Sequence, residues 1–245
     1  MYIIQEGQEG GHMKVWLFDL DGTLIDSAAL SDAAYDATLA EIGVSPMRSH
    51  FWRQFDGVRS SEVFSMLMRD RVLPDSLTVG ALVKARRCLV EQLWSKYPVV
   101  AIPGAVDFVR DVHRSGAMLG LVTSSSYAFA VNALDSIEIA SIFRVYVCGD
   151  TQRGGYANVF VRSKPHPEPY QKALMLAGRR MSEKVDPKNV VVVEDSPNGI
   201  MSASGAGCGT VVGLAFRGSP GSLRRAGASI VVKSYTDEAI RALIR

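Results

Sequence analysis

Six short apolar runs constrain the fold of this chain more than any other feature: Val15–Phe18, Met118–Val122, Val145–Cys148, 190–193, Thr210–Leu214 and Ile230–Val232. They are rich in valine and do not alternate with polar residues, the pattern of strands covered on both faces in a parallel sheet. The segments between them read as helices. Ala105, Val106, Phe108, Val109 and Val112 share one helical face, ended by Gly116; Tyr170, Ala173, Leu174 and Ala177 share another, ended by Gly178. Alternating strands and helices predict an α/β fold with a doubly wound, Rossmann-like parallel sheet.

The alternation breaks between about residues 27 and 97, where helical patterns recur and no strand pattern stands out. The last of them sets Val79, Leu82, Val83, Arg86, Leu89, Val90, Leu93, Trp94 and Tyr97 at helical spacing. This predicts an all-helical domain over 27–98, inserted into an α/β core made of 13–26 and 99–245. Pro98, Pro103 and Gly104 mark a hinge where the chain returns, with its counterpart near 26–28. Residues 1–12, polar and Gly-rich ahead of a second methionine, read as a disordered leader or cloning remnant.

Charge narrows the partners. Lys plus Arg is 27 against 25 for Asp plus Glu, a net +2 that predicts no nucleic-acid or membrane-surface partner. No apolar run approaches the roughly 20 residues that span a bilayer. Cys88, Cys148 and Cys208 are odd in number and widely spread, suggesting neither a disulfide framework nor a zinc site. A reducing cytoplasm fits that usage.

The chemistry gathers where strands end. The first run leads into Asp19-Leu20-Asp21-Gly22-Thr23, two carboxylates where ligands sit in open α/β sheets. The acids need a cation or a shared proton; read alone, the segment is equally an Asp- and Gly-rich surface turn. The second run ends in Thr123-Ser124-Ser125, hydroxyls and amides suited to an anion, or simply a helix cap. Lys164 follows, between Ser163 and Pro165, and by itself is an ordinary surface charge. The fourth run ends in Glu194-Asp195-Ser196-Pro197, a second acidic pair before a helix that Ser196 caps and Pro197 opens.

The order Asp-x-Asp, Thr, Lys, Glu-Asp along the chain resembles the haloacid dehalogenase superfamily of hydrolases from about residue 13 onward. A helical insertion directly after the first motif is similar to the mobile cap of its phosphoglycolate phosphatase and β-phosphoglucomutase branch. The resemblance implies a Mg²⁺-dependent phosphomonoesterase acting on a small phosphorylated metabolite, a sugar phosphate or phosphoglycolate, as a monomer or homodimer. By the same resemblance Asp19 is the nucleophile and Asp21 the general acid and base. Asp19, the Asp21 carbonyl, Asp195 and Glu194 hold the metal; Thr123 and the Ser124 amide bind the phosphoryl group; Lys164 offsets its charge. Asp21 also argues against dehalogenation, since true dehalogenases lack that acid.

The match departs from the family in two places. The loop Gly149-Asp150-Thr151-Gln152-Arg153-Gly154 matches, but 155–163 intervenes before Lys164, either as a longer surface loop or as a substrate contact through Tyr156 and Arg162. In the helical insertion, Asp56-Gly57-Val58-Arg59 resembles the cap substrate loop, with Gly57 and Arg59 as binding candidates. Arg59 is one step early and reads equally as a surface charge at a helix start. Ser31 stands where mutases carry a histidine, which favours hydrolysis over the alternative, a sugar-phosphate mutase. Lys84 and Lys96 read as solvent-facing, against a phosphonatase, and His113 and His166 as structural or exposed. A receiver-like domain or a catalytically idle binding protein is the non-enzyme alternative.

Overall fold

The computed structural model describes residues 14–48, 50–74, 76–149, 158–159 and 162–244. The chain begins with β1 (Val15–Phe18) and β2 (Ile25–Asp26), then enters α1 (Ala28–Glu41), α2 (Ser60–Arg69) and α3 (Val79–Leu93). It returns through β3 (Val100–Ala101), α4 (Ala105–Arg114), β4 (Met118–Val122), α5 (Tyr127–Ser136), β5 (Val145–Cys148) and β6 (Asn158–Val159). The remainder is α6 (Glu168–Met181), β7 (Val190–Glu194), α7 (Pro197–Gly205), β8 (Thr210–Leu214), α8 (Pro220–Arg225), β9 (Ile230–Val232) and α9 (Glu238–Arg241). Among these residues no helix is long and apolar enough to cross a membrane.

The seven described strands of the main sheet run in the order β6-β5-β4-β1-β7-β8-β9, all parallel. All six apolar runs are strands of it; β6 adds a short edge that lies within the 155–163 segment. β1 sits at the centre, where the winding reverses, so the carboxyl end of β1 opens a crevice between β4 and β7. Side chains alternate between the two faces. Trp16 and Phe18 point into a core with α4, α5 and α9, while Val15 and Leu17 join one with α6, α7 and α8. Burial on both sides is why these strands needed no polar alternation.

The stretch between β2 and β3 is helical, and Tyr35, Leu39, Trp52, Phe64, Leu67 and Leu82 form a third apolar cluster there. Its two connections to the sheet lie side by side, because β2 and β3 pair antiparallel, Ile25 with Ala101 and Asp26 with Val100. The last helix is shorter than its apolar stripe. α3 ends at Leu93, and Lys96 and Tyr97 turn back to the Leu93 carbonyl; Pro98 disfavours helical geometry at Tyr97. The stripe serves two cores: Val79 and Val83 pack on the helical cluster, Val90, Leu93, Trp94 and Tyr97 on the sheet cluster.

A second boundary also differs. α4 stops just before Gly116 as expected, but α6 runs past Gly178 to Met181 and ends on Ser182 at φ 56°. Gly178 is there for space: a Cβ would come within 2.7 Å of the Glu183 carbonyl oxygen. Lys84, Lys96 and His113 are exposed as read, and His166 caps a turn, its Nδ1 accepting from the Glu168 amide at 3.1 Å. Residues 1–12 and Tyr156 lie outside the described residues.

Phe108 anchors the first sheet face, its ring 5.6 Å from Trp16 and 4.9 Å from Tyr235, fully buried. Phe108→Ala should therefore cost about 3–5 kcal/mol of unfolding free energy in urea denaturation. A loss under about 1 kcal/mol would mean that this cluster is not the packing core described.

Candidate active site

Two neighbouring strands deliver the first acidic motif to its partners. Phe18 lies level with Leu121 of β4 and Val193 of β7, so the residues after each strand emerge at one height. The Asp19 amide donates to the Val193 carbonyl at 3.1 Å, extending the ladder one residue beyond β1. The chain then turns tightly, the Leu24 amide donating to the Leu20 carbonyl at 2.8 Å and the Gly22 amide to Ile25 at 2.8 Å. Gly22 holds φ +81°, and a Cβ there would overlap the Asp195 carboxylate. The turn thus lets two strand-end motifs touch.

Lys164 ties the site together from behind. Its Nζ, with no exposed surface, donates to Asp19 Oδ1 at 2.6 Å, to the Val122 carbonyl at 2.9 Å and to Glu194 Oε1 at 2.5 Å. Burial alone would push the ammonium's pKa down, but Asp19 and Glu194 outweigh it and hold the group charged, above the ordinary lysine range. Glu194 Oε1 also accepts from the Tyr170 hydroxyl at 2.5 Å, and Oε2 from Ser196 at 3.4 Å. Ser196 caps α7 as expected, accepting from the Gly199 amide, with Pro197 in the first turn.

Asp19, Glu194 and Asp195 each place a carboxylate oxygen within 4.8 Å of the others'. Burial raises Asp19 to about 8, with Glu194 and Asp21 adding to it and Lys164 opposing. Burial also raises Asp195 well above the carboxylate range, with Asp19 and Glu194 as further causes. One buried ammonium faces three carboxylates, so the cluster lacks positive charge. All-oxygen donors with no histidine or cysteine fit a hard divalent cation.

Asp21 has a different environment. Its Oδ1 accepts from Ser27 at 2.5 Å and its Oδ2 from Ser125 at 2.6 Å and Thr123 at 3.3 Å. Thr123, fully buried, also accepts from the Ser125 amide at 3.0 Å. It does not cap the next helix, since Ser126 does so by accepting from the Phe129 amide. Ser27 is a partner of Asp21 that the motifs did not point to, since serines are too common for spacing alone to single one out, whereas Ser125 belongs to the Thr123-Ser124-Ser125 segment itself.

The helical insertion closes over this group. Ser124 Oγ donates to the Gly57 carbonyl at 2.5 Å, and Asn198 Nδ2 to the Asp56 carbonyl at 2.9 Å. Glu62 accepts from the Ser163 amide at 3.1 Å and from its hydroxyl, and pairs with Arg59 at 3.1 Å; Arg59 also reaches the Gly149 carbonyl at 3.5 Å. Arg162 is exposed and bonds to His166 and Glu168, away from the cavity. Asp19, Asp21, Gly57, Arg59, Thr123, Ser124 and Asp195 all line one cavity of about 660 Å³, the size of a small-metabolite site. Lys164 and Glu194 lie behind its wall.

The chain is similar to known proteins in sequence and in fold. The sequence profile of the Haloacid dehalogenase-like hydrolase family matches residues 16–212. A phosphoglycolate phosphatase of Salmonella typhimurium is 30% identical over 220 residues, covering 81% of this chain and 80% of that protein. A phosphorylated carbohydrates phosphatase of Thermotoga maritima is 29% identical over 224 residues, covering 90% and 94%. In fold, the chain superimposes on CbbY from Rhodobacter sphaeroides in complex with phosphate with a TM-score of 0.77 at 24% identity, covering 95% of this chain and 99% of that one. With most of its length matched by that profile, the chain belongs to the haloacid dehalogenase-like hydrolases.

Proposed function

We propose that this hydrolase is a Mg²⁺-dependent phosphomonoesterase that releases phosphate from a small phosphorylated metabolite through an aspartyl-phosphate. The single observation that carries the reading is the pairing of two aspartates with opposite environments, two residues apart on one turn. Asp19 is buried against Lys164 and acids, suited to a nucleophile. Asp21 is ringed by hydroxyls at the cavity wall, suited to moving a proton. The phosphatases among its relatives support a sugar phosphate or phosphoglycolate as substrate class.

In this mechanism an Asp19 oxygen attacks phosphorus as the ester P–O bond breaks, and Asp21 gives its proton to the departing alkoxide. Asp21 then takes a proton from water, whose oxygen attacks the phosphoryl group and frees both phosphate and Asp19. Lys164 keeps Asp19 oriented and offsets charge, while Thr123 and the Ser124 amide face the phosphoryl oxygens. Asp19, Asp195, Glu194 and the Asp21 carbonyl would hold Mg²⁺, which supplies the missing positive charge at the phosphoryl oxygens. The helical segment 27–98 acts as a cap on the core 13–26 and 99–245. Gly57 and Arg59 bring the cap's substrate loop to the cavity, and the paired β2 and β3 form its hinge. The odd number and wide spacing of Cys88, Cys148 and Cys208 support a reducing, cytoplasmic setting.

Four outcomes test this. Wild type with Mg²⁺ should release phosphate from a panel of small phosphomonoesters, chelation should stop it and added Mg²⁺ restore it. Asp19→Asn should lower kcat by about a thousandfold or more with folding intact. Release by the variant at the wild-type rate would remove Asp19 as nucleophile. Lys164→Met should cost about 3–5 kcal/mol of stability by denaturation at neutral pH, because Glu194 is left buried with its cation gone. An unchanged midpoint would contradict the buried network. Adding Mg²⁺ and an inert phosphate analogue should shrink the radius of gyration in scattering; no change on an initially extended molecule would rule out cap closure.

A further inference from the structure

The turn that carries Lys164 is held from two sides. On the core side, the His166 amide donates to the Ser163 carbonyl at 2.9 Å, and the Ser202 hydroxyl of α7 donates to the His166 carbonyl at 2.6 Å. On the cap side, Glu62 of α2 takes both donors of Ser163, the residue next to Lys164: Oε1 accepts from the amide at 3.1 Å and Oε2 from the hydroxyl. One carboxylate thus grips one core residue with both oxygens. Arg59 steadies it, donating to Glu62 Oε1 at 3.1 Å and reaching the Gly149 carbonyl at 3.5 Å. The pair therefore meets the chain just after β5 and again just before Lys164. Contact there is close, since a Cβ on Gly149 would lie 3.2 Å from Arg59 Cγ.

At Gly57 and Asp56 the cap offers the core backbone carbonyls, but at Glu62 it offers a side chain that the sequence specifies. Glu62 is not among the residues that line the cavity, so it reaches the chemistry only through Ser163. Ser163 is buried, and a buried amide needs a partner; here that partner belongs to the other domain. When the cap swings away, both donors of Ser163 lose Glu62 and the backbone at Lys164 is released on that side. We propose that Glu62 is a positioning residue that makes the placement of Lys164 on Asp19 depend on a closed cap. This rests on the phosphomonoesterase reading and deepens it, because closure then completes the 2.6 Å contact between Lys164 and the nucleophile as well as excluding water. Precision at that contact matters, since a displacement of about 1 Å at a reacting group can cost about a hundredfold in rate.

The test compares wild type with Glu62→Leu, Glu62→Gln and Ser163→Ala. Glu62→Leu removes both acceptors and should lower kcat about ten- to a hundredfold on every phosphomonoester that wild type hydrolyses, with KM within about threefold. Glu62→Gln keeps the size and an acceptor for the amide and should recover most of that rate. Ser163→Ala keeps the amide bond and should lose less than Glu62→Leu, and the double variant should be no slower than Glu62→Leu alone. A loss confined to KM, or no loss, would overturn the proposal. In scattering with Mg²⁺ and an inert phosphate analogue, Glu62→Leu should still compact on the contacts at Gly57 and Asp56; a variant that stays extended would reduce Glu62 to a latch and overturn the positioning role. Reductive methylation followed by mass spectrometry reads the coupling without turnover. Lys164 should be labelled at least about tenfold faster in Glu62→Leu than in wild type or Glu62→Gln, while exposed Lys188 reacts equally in all three. Equal labelling of Lys164 would overturn the coupling whether or not the panel released phosphate. Faster labelling in a chain that releases none would leave the coupling standing and remove the hydrolase reading instead.

Discussion

A buried ammonium shared by two carboxylates is the interaction around which the rest of this molecule is arranged. Lys164 is brought from the loop before α6 to lie between Asp19 after β1 and Glu194 at the end of β7, with the Val122 carbonyl of β4 as its third acceptor. Three strands therefore meet at one charge. Burying such a group is tolerable only when its partners and geometry are complete, and here every proton of the ammonium is used. The same burial leaves the acids in excess, which is why Asp19 and Asp195 are both pushed up and why the cluster suits a divalent cation.

The sheet makes that meeting possible. Because β1 lies between β4 and β7, the residues following these strands converge at the same height without long loops. Continuous apolar strands fix this register on both faces: a slip by one residue would drive Trp16 and Phe18 into the helices that now cover Val15 and Leu17. Even the far end of the chain contributes, since the buried Tyr235 hydroxyl donates to the Thr23 carbonyl at 2.9 Å and braces the turn carrying Asp21. Position of the chemistry is thus a consequence of packing.

The sheet and the motif residues were legible because their signals are local. A valine run reads as a buried strand wherever it occurs, and Ser196-Pro197 reads as a helix start that the structure bears out. Helix ends were less legible, as Gly178 shows: glycine there answers to a contact with Glu183, a tertiary demand that mimics a stop signal. Thr123 illustrates the same limit, since its hydroxyl faces Asp21 across 102 positions rather than capping the adjacent helix. Arg86 was visible only as a member of an apolar stripe on α3. What distinguishes it, the Tyr35 ring 3.9 Å from its guanidinium, arises from α1 packing against α3.

In this account substrate choice and chemistry occupy opposite walls of one cavity, the helical segment supplying the first and the strand ends the second. The covalent step is the claim on which the account stands. The direct measurement is rapid acid quenching of wild type during turnover, followed by mass spectrometry of the peptide containing Asp19. One phosphoryl group on Asp19, accumulating and decaying with substrate and absent in Asp19→Asn, is the result predicted. Steady phosphate release with the phosphoryl group on another residue, or on none, would contradict it.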